Sequence, residues 1–318
     1  MGKTPARRKS ILSGLAKKHF VSKRGSESRR WRFQIFFFLI ALLFFATAAL
    51  SQDLSVLSQT LRSGNTEEKR DALMTLRSMH SEDSSRVAVI ALNDKTPIVR
   101  ATAASSVVFL PGPEAVAALS PLLNDKDEFV RREGAFALGT VGDAAAAPLL
   151  IRSMRSDKSL EVRSAAAAAV GKTGNPDAVS PLAAVFSQSP SEDNELLRRS
   201  AARSIGQIAQ IMRSGKTGVI TPQDFLPEKY KDIDAQPSPE LSSHFKSAVG
   251  LLIGVLENSS EADDTRREAA FALGAIGDRS AESVLTKYTS SSDVYLAEIS
   301  KEALLKLRAV ESRFYLPD

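Results

Sequence analysis

Residues 129–143 read FVRREGAFALGTVGD, and residues 265–278 read TRREAAFALGAIGD. Nearly the same string thus occurs twice, far apart in one chain. Working outward from it, the chain aligns on a basic residue followed by small ones. The starts are Lys69, Arg100, Arg131, Arg163, Arg198 and Arg266, at intervals of 31, 31, 32, 35 and 68 residues. Three positions after each start stand Ala72, Ala103, Gly134, Ala166, Ala201 and Ala269. Four positions after stand Leu73, Ala104, Ala135, Ala167, Ala202 and Ala270, and seven after stand Leu76, Val107, Leu138, Val170, Ile205 and Leu273. Offsets of 3, 4 and 7 share one helix face. A face of small and then branched side chains lets neighbouring helices approach closely. Glycine follows the branched residue at Gly139, Gly171, Gly206 and Gly274, where it suits a helix C-terminus at positive φ. A degenerate last copy starts at Ser300, with Ala303, Leu304 and Leu307 in the matching places.

A second apolar stretch follows in several copies, at 115–123, 144–154 and 178–186. Each repeat therefore reads as helix, turn, helix. Asn93-Asp94-Lys95 recurs as Asn124-Asp125-Lys126 and nearly as Ser156-Asp157-Lys158. Asp or Asn there caps or turns the chain into the next repeat. One such hairpin cannot bury both its faces, so the copies must stack into a solenoid.

The strings at 129–143 and 265–278, with LEVRSAAAAAVGKTG at 160–174, resemble the HEAT-like repeat of the phycobilisome-lyase type. The resemblance covers about residues 54–310. It implies a curved helical scaffold that binds other macromolecules. Some family members are chromophore-attachment lyases or their subunits, and others are iron-dependent hydroxylases with paired His-Glu motifs. Neither His80 nor His244 is followed by Glu, so the resemblance does not extend to the hydroxylase motif.

Composition narrows the chemistry. The 318 residues contain no cysteine, which excludes disulfides, thiolate metal sites and a cysteine nucleophile. Three histidines, His19, His80 and His244, are too few for a multi-histidine metal centre. At 6% aromatic residues, stacked nucleic-acid platforms are not expected. The net charge of +5 is uneven. Residues 1–32 hold 11 Lys and Arg against Glu27, which leaves 31 basic and 36 acidic residues for the remainder. The body is mildly acidic and gives no sign of a phosphate-binding stripe. Gly215-Lys216-Thr217 and Gly171-Lys172-Thr173 fail as phosphate loops, because Gln210 and Ala166 stand where the earlier glycine belongs.

After the basic segment, residues 33–52 carry no charge for 20 positions. A helix of that length reaches about 30 Å, enough to cross a bilayer. The segment 33–50 reads either as a signal peptide cleaved near Ala48 or as an uncleaved transmembrane anchor with the basic side in the cytoplasm. Either reading puts the repeat domain outside the cytoplasm, membrane-anchored or secreted/periplasmic.

The fifth repeat is interrupted. Residues 214–239 contain Pro222, Pro227 and Pro237 with many polar residues and read as a loop between the two helices of one repeat. Long loops of this kind are often functional, and Phe225, Leu226 and Tyr230 in it are candidate partner-binding residues. Phe136 and Phe271 share the offset five after the arginine, off the apolar face. They are either exposed contact points or fillers of the groove against the second helix. Arg100, Arg131, Arg163, Arg198 and Arg266 are expected to serve repeat stacking by pairing with Asp94, Asp125 or Asp157 of a neighbouring repeat.

The expectation is an all-α protein: a right-handed α-solenoid of about six to seven helical-hairpin repeats over residues 51–318, preceded by an N-terminal hydrophobic helix and a basic disordered tail at 1–32. Its expected role is a non-catalytic protein-binding scaffold with no cofactor, no catalytic or metal residues, and no small-molecule or nucleic-acid ligand. Its partners are proteins, and the membrane through the N-terminal segment. The alternatives are a lyase-like enzyme subunit that positions a cofactor or client, and nucleic-acid binding. A concave pocket with ionisable groups converging from several repeats favours the former, and salt-dependent DNA retention the latter.

Overall fold

The computed structural model describes residues 53–214 and 239–314. The chain divides into two units, 1–56 and 57–318, and the repeats lie in the second. Among the described residues every regular element is helical. Residues 53–63 form α1. Then follow the pairs α2 (Thr66–Ser78) with α3 (Glu82–Ala88), α4 (Pro97–Ser106) with α5 (Gly112–Leu119), and α6 (Glu128–Val141) with α7 (Ala147–Ser156). Next come α8 (Leu160–Lys172) with α9 (Val179–Ala183), α10 (Glu195–Ser214) with α11 (Pro239–Glu257), and α12 (Asp263–Ile276) with α13 (Glu282–Tyr288). α14 (Val294–Phe314) stands last. The first members of the pairs, from α2 to α14, pack one against the next as a layer, and most second members pack on the first helix of the following repeat: α5 on α6, α7 on α8, α9 on α10, α11 on α12 and α13 on α14.

The layer forms because the repeated face disappears from solvent. The branched residues Leu76, Val107, Leu138, Val170, Ile205 and Leu273 are all fully buried, and so are the alanines before them at 104, 135, 167, 202 and 270. Starts are set by side chains that accept from free backbone N–H groups: Asn65 in a reciprocal capping box with Glu68, Asp127 from the Val130 N–H, and Ser159 from the Val162 N–H.

The stops differ from the sequence reading. Gly139, Gly171 and Gly274 lie in the last turn of their helices and Gly206 in the middle of α10, and none of them takes the expected positive φ. The positive-φ residues stand three positions later: Gly142 (φ 69°), Gly174 (φ 64°) and Gly277 (φ 71°). His80 occupies the same register at φ 49°, a conformation that glycine adopts more cheaply. Ala209 stands at this register in α10, which runs on to 20 residues. These helical glycines instead permit contact. A Cβ on Gly139 would lie 2.8 Å from the Cα of Ala169, and one on Gly274 would lie 2.6 Å from the Cα of Ala303.

Of the expected loop at 214–239, Ser214 ends α10 and Pro239 begins α11, and the residues between lie outside the described residues, as do the hydrophobic helix at 33–50 and the basic tail. Among the described residues no helix is long and apolar enough to cross a membrane. α10 has the length, but it carries Arg198, Arg199, Arg203 and Arg213. The membrane-anchored or secreted/periplasmic placement, which rested on the basic segment and the apolar run at 1–50, finds no support among the described residues and is withdrawn.

Candidate functional site

Two features repeat along the solenoid: a polar ladder at the turns between repeats, and the open face of the first-helix layer.

In the ladder, a cation near the start of each first helix reaches the turn that enters the next repeat. Lys69 Nζ lies 2.6 Å from Asp94. Arg100 Nε and Nη2 each donate to Asp125 at 2.8 Å, and Nη1 donates to the Asp94 carbonyl at 2.8 Å. Arg131 does the same one repeat later, to Asp157 at 2.8 and 3.0 Å and to the Asp125 carbonyl at 3.0 Å. Each arginine thus joins the turn behind it to the turn ahead, with the two-toothed geometry that suits a carboxylate. Burial pushes the carboxyls of Asp94, Asp125 and Asp157 up, but hydrogen bonds from Lys69, Arg100 and Arg131, with local N–H groups, hold all three below the ordinary carboxylate range.

Arg198 continues the ladder across the inserted segment. It pairs with Glu261, and the two side chains are only 3% and 2% exposed. Its Nη1 donates to the Gln188 carbonyl at 2.6 Å. In the next repeat the neighbouring Arg267 takes the role, at 2.9 Å from Asp293, while Arg266 donates to the Leu256 carbonyl at 3.1 Å. Arg163 has no such pair among the described residues; its Nε donates to the Met154 carbonyl at 3.0 Å. Sequence reasoning missed Lys69, Glu261 and Arg267. The 31-residue spacing to Arg100 pointed to Lys69, whereas the insertion hid Glu261.

On the open face, the two phenylalanines at offset five part company. Phe136 is 41% exposed. Phe271 is half-buried, because its ring edge packs over Gly206 of α10, where a Cβ would meet it at 2.5 Å. Phe271 is thus seated between first helices and not against a second helix. Phe225, Leu226 and Tyr230 lie outside the described residues.

Phe271 lines a groove of about 530 Å³ that crosses α10, α12 and α14. Ionisable side chains converge on it from all three: Arg203, Asp264, Arg267, Glu268, Glu302 and Lys306. They are held in pairs, with Arg203 2.7 Å from Glu268 and Lys306 2.9 Å from Glu302. At its rim Tyr295 is 71% exposed, with the Arg267 guanidinium 5.2 Å from its ring centre. That guanidinium is itself fixed between Asp264 at 2.7 Å and Asp293. A smaller groove, about 220 Å³, lies across α2, α4 and α6 between Met74 and Phe129, over the small side chains of Ala101, Thr102 and Ser105.

Comparison with known proteins agrees with this periodicity. Residues 54–139 and 119–206 match HEAT repeats, and residues 265–290 match the PBS lyase HEAT-like repeat. The chain belongs to the HEAT-repeat family. Deoxyhypusine hydroxylase of Arabidopsis thaliana is 26% identical over 229 residues, 69% of this chain and 68% of the relative. Among solved structures, human deoxyhypusine hydroxylase is 18% identical with a TM-score of 0.36, covering 83% of this chain and 99% of its own. The CpcE and CpcF complex of phycocyanin lyase from Nostoc is 20% identical with a TM-score of 0.41, covering 80% and 94%. At these scores the two structures bear on neither substrate nor mechanism.

The Arabidopsis relative is an enzyme, and this overturns the expectation that the chain is not one. That expectation rested on the absence of short catalytic motifs from the sequence. The paired His-Glu motif of the iron-dependent hydroxylases that the repeats resemble is not matched, however. His80 is followed by Ser81 and His244 by Phe245, and among the described residues no three His, Asp or Glu side chains gather as a metal would require.

Proposed function

We propose that this chain is a protein-binding HEAT-repeat scaffold, a right-handed solenoid of six to seven repeats that holds a client against the open face of its first-helix layer. The observation that carries the reading is Tyr295. It is a large, exposed aromatic side chain stacked under an arginine that two carboxylates hold still. Aromatic and arginine side chains dominate the binding energy of protein interfaces, and side chains fixed beforehand lose little entropy on binding. Phe136 and Phe129 extend the same character to α6, with Arg132 4.9 Å from the Phe129 ring centre.

The test is quantitative co-purification with the full chain and with a Phe136→Ala, Tyr295→Ala double variant. The double variant is expected to retain its helical circular-dichroism signal and to lose at least about tenfold in client recovery, since interface anchors typically cost about 2 kcal/mol or more. Undiminished recovery removes this reading.

A second reading has its own support. The groove across α10, α12 and α14 gathers six ionisable side chains from three repeats, the arrangement of a lyase-like enzyme subunit that positions a cofactor or client. Native mass spectrometry of the chain from its own cells distinguishes the two. A bound small molecule that leaves on Glu268→Gln supports the second, and a mass equal to the polypeptide alone removes it.

A further inference from the structure

From α2 to α10 the open face of the first-helix layer is corrugated with a period of two repeats. Five positions after each basic start, the residues in turn are Met74, Ser105, Phe136, Ala168 and Arg203. One position after it they are Arg70, Ala101, Arg132, Ser164 and Arg199. Large side chains therefore stand on α2, α6 and α10, and small ones on α4 and α8. Stacking does not require this, because the stacked face at offsets 3, 4 and 7 carries small or branched side chains in every copy. The alternation belongs to the side that faces solvent. The smaller groove, about 220 Å³, is the trough over α4. Its walls are Met74 on α2, 52% exposed, and Phe129 on α6, 37% exposed. Neighbouring packed helices stand about 8–10 Å apart, so the walls rise from helices about 16–20 Å apart. An α-helix with its side chains is about 10–12 Å across. The trough is one helix wide.

Its floor selects the kind of backbone that can lie on it. Thr102 Oγ1 donates to the Ile98 carbonyl at 2.7 Å, Ser105 Oγ to the Thr102 carbonyl at 2.9 Å, and Ser106 Oγ to the Leu73 carbonyl at 3.0 Å. All three hydroxyl protons are spent inside the layer. An extended guest would find no hydroxyl donor there for its carbonyls, whereas a helix satisfies its own backbone. The two charged groups of the groove come from opposite walls, Arg77 from α2 and Glu133 from α6. Arg77 makes no ion pair among the described residues, while Glu133 lies 3.4 Å from the guanidinium of its neighbour Arg132. The groove thus offers a guest two apolar walls and one cation without a counter-charge.

We infer that the trough over α4 is the seat of an amphipathic α-helix of a partner protein. Its apolar side chains, spaced three and four residues apart, lie against Met74 and Phe129, and a carboxylate on its flank meets Arg77. The inference rests on the reading of the open face as a client surface, and it names the form of the client element at this end of the layer.

Selection of phage-displayed random peptides of about 18 residues, five helical turns, on the immobilised full chain tests this. Enriched sequences are expected to show apolar residues at three- and four-residue spacing and an acidic residue beside them. A central proline in such a peptide should weaken binding at least about tenfold, because it breaks the helix. The Met74→Ala, Phe129→Ala double variant should weaken it as much, since it removes both anchors. Both side chains are exposed, so that variant is expected to keep its helical circular-dichroism signal. Arg77→Glu should weaken binding several-fold, and replacing the peptide's acid by lysine should restore it. Peptides that tolerate the proline, or that bind the double variant as tightly as the wild-type chain, overturn the inference, and so does a selection that enriches nothing. Tyr295→Ala should leave peptide affinity unchanged. Failure of the wider client reading shows separately, as undiminished client recovery by the Phe136→Ala, Tyr295→Ala variant.

Discussion

The junctions at the two ends of the solenoid are built differently. Between α2 and α6 the position eight after the cation holds Arg77 and Val108. No backbone-close glycine contact is available there, and the turn clasps of Lys69 and Arg100 sit at a partly exposed edge. From α6 onward that position is Gly139, Gly171, Gly206 and Gly274, each against the next first helix. The clasp of Arg198 with Glu261 is sealed from water. One hydrogen bond is common to both ends: Ser106 Oγ to the Leu73 carbonyl at 3.0 Å and Ser204 Oγ to the Ala167 carbonyl at 2.7 Å occupy the same repeat positions. The difference teaches that a HEAT junction can rest on charge at its edge or on close helix contact, and that dispensing with the first is possible only where the second is strong.

The strongest challenge to this comparison is Glu261→Ala. It leaves Arg198 buried without its counter-charge and should cost about 3–5 kcal/mol in denaturant unfolding. A loss below about 1 kcal/mol would mean that the buried pair is no stronger than a surface one.

Next in size is Asp125→Ala at the partly exposed end. Removing a charged, two-toothed acceptor should cost about 1.5–3 kcal/mol. It also carries a pH signature. The folded-state values of Asp94, Asp125 and Asp157 lie below the unfolded one, so their stabilisation is complete above about pH 3.9 and fades as pH falls through the depressed folded values. The variant should therefore lose less stability than wild type on acidification. Parallel acid titrations would disprove that link.

The glycines sharpen the contrast from the other side. Gly274→Ala forces a methyl into the Ala303 backbone and should cost about 1–3 kcal/mol. At Gly250 and Gly254 of α11, an added methyl would meet nothing within 4 Å. Alanine at either should raise stability by up to about 1 kcal/mol through helix propensity alone. Thermal unfolding of the three single variants separates contact glycines from open ones by sign.

Much of the fold was legible in the sequence because its periodicity is its cause. Offsets 3, 4 and 7 must share a helix face, and in every copy from Lys69 to Arg266 those side chains are buried. The clasps at Arg100 and Arg131 stood at fixed spacing from their aspartates. Glycine was harder to read, because Gly139 and Gly142 look alike in a string. Only the backbone shows that the first admits a neighbouring helix and the second ends its own. Phe136 and Phe271 were likewise equal by offset and diverged in burial, since only the second finds a glycine, Gly206, beneath it.

What the sequence determined by itself was the local rule: a hairpin with one apolar face, repeated, and obliged to stack because a single copy leaves that face wet. What only the tertiary structure decided was which partner each repeated residue meets. The Arg198–Glu261 pair spans 63 residues, and the groove draws on α10, α12 and α14. Such pairings follow from how successive layers are set down on one another. Periodicity fixes which face a side chain points from, but not which atoms across the layer come to meet it.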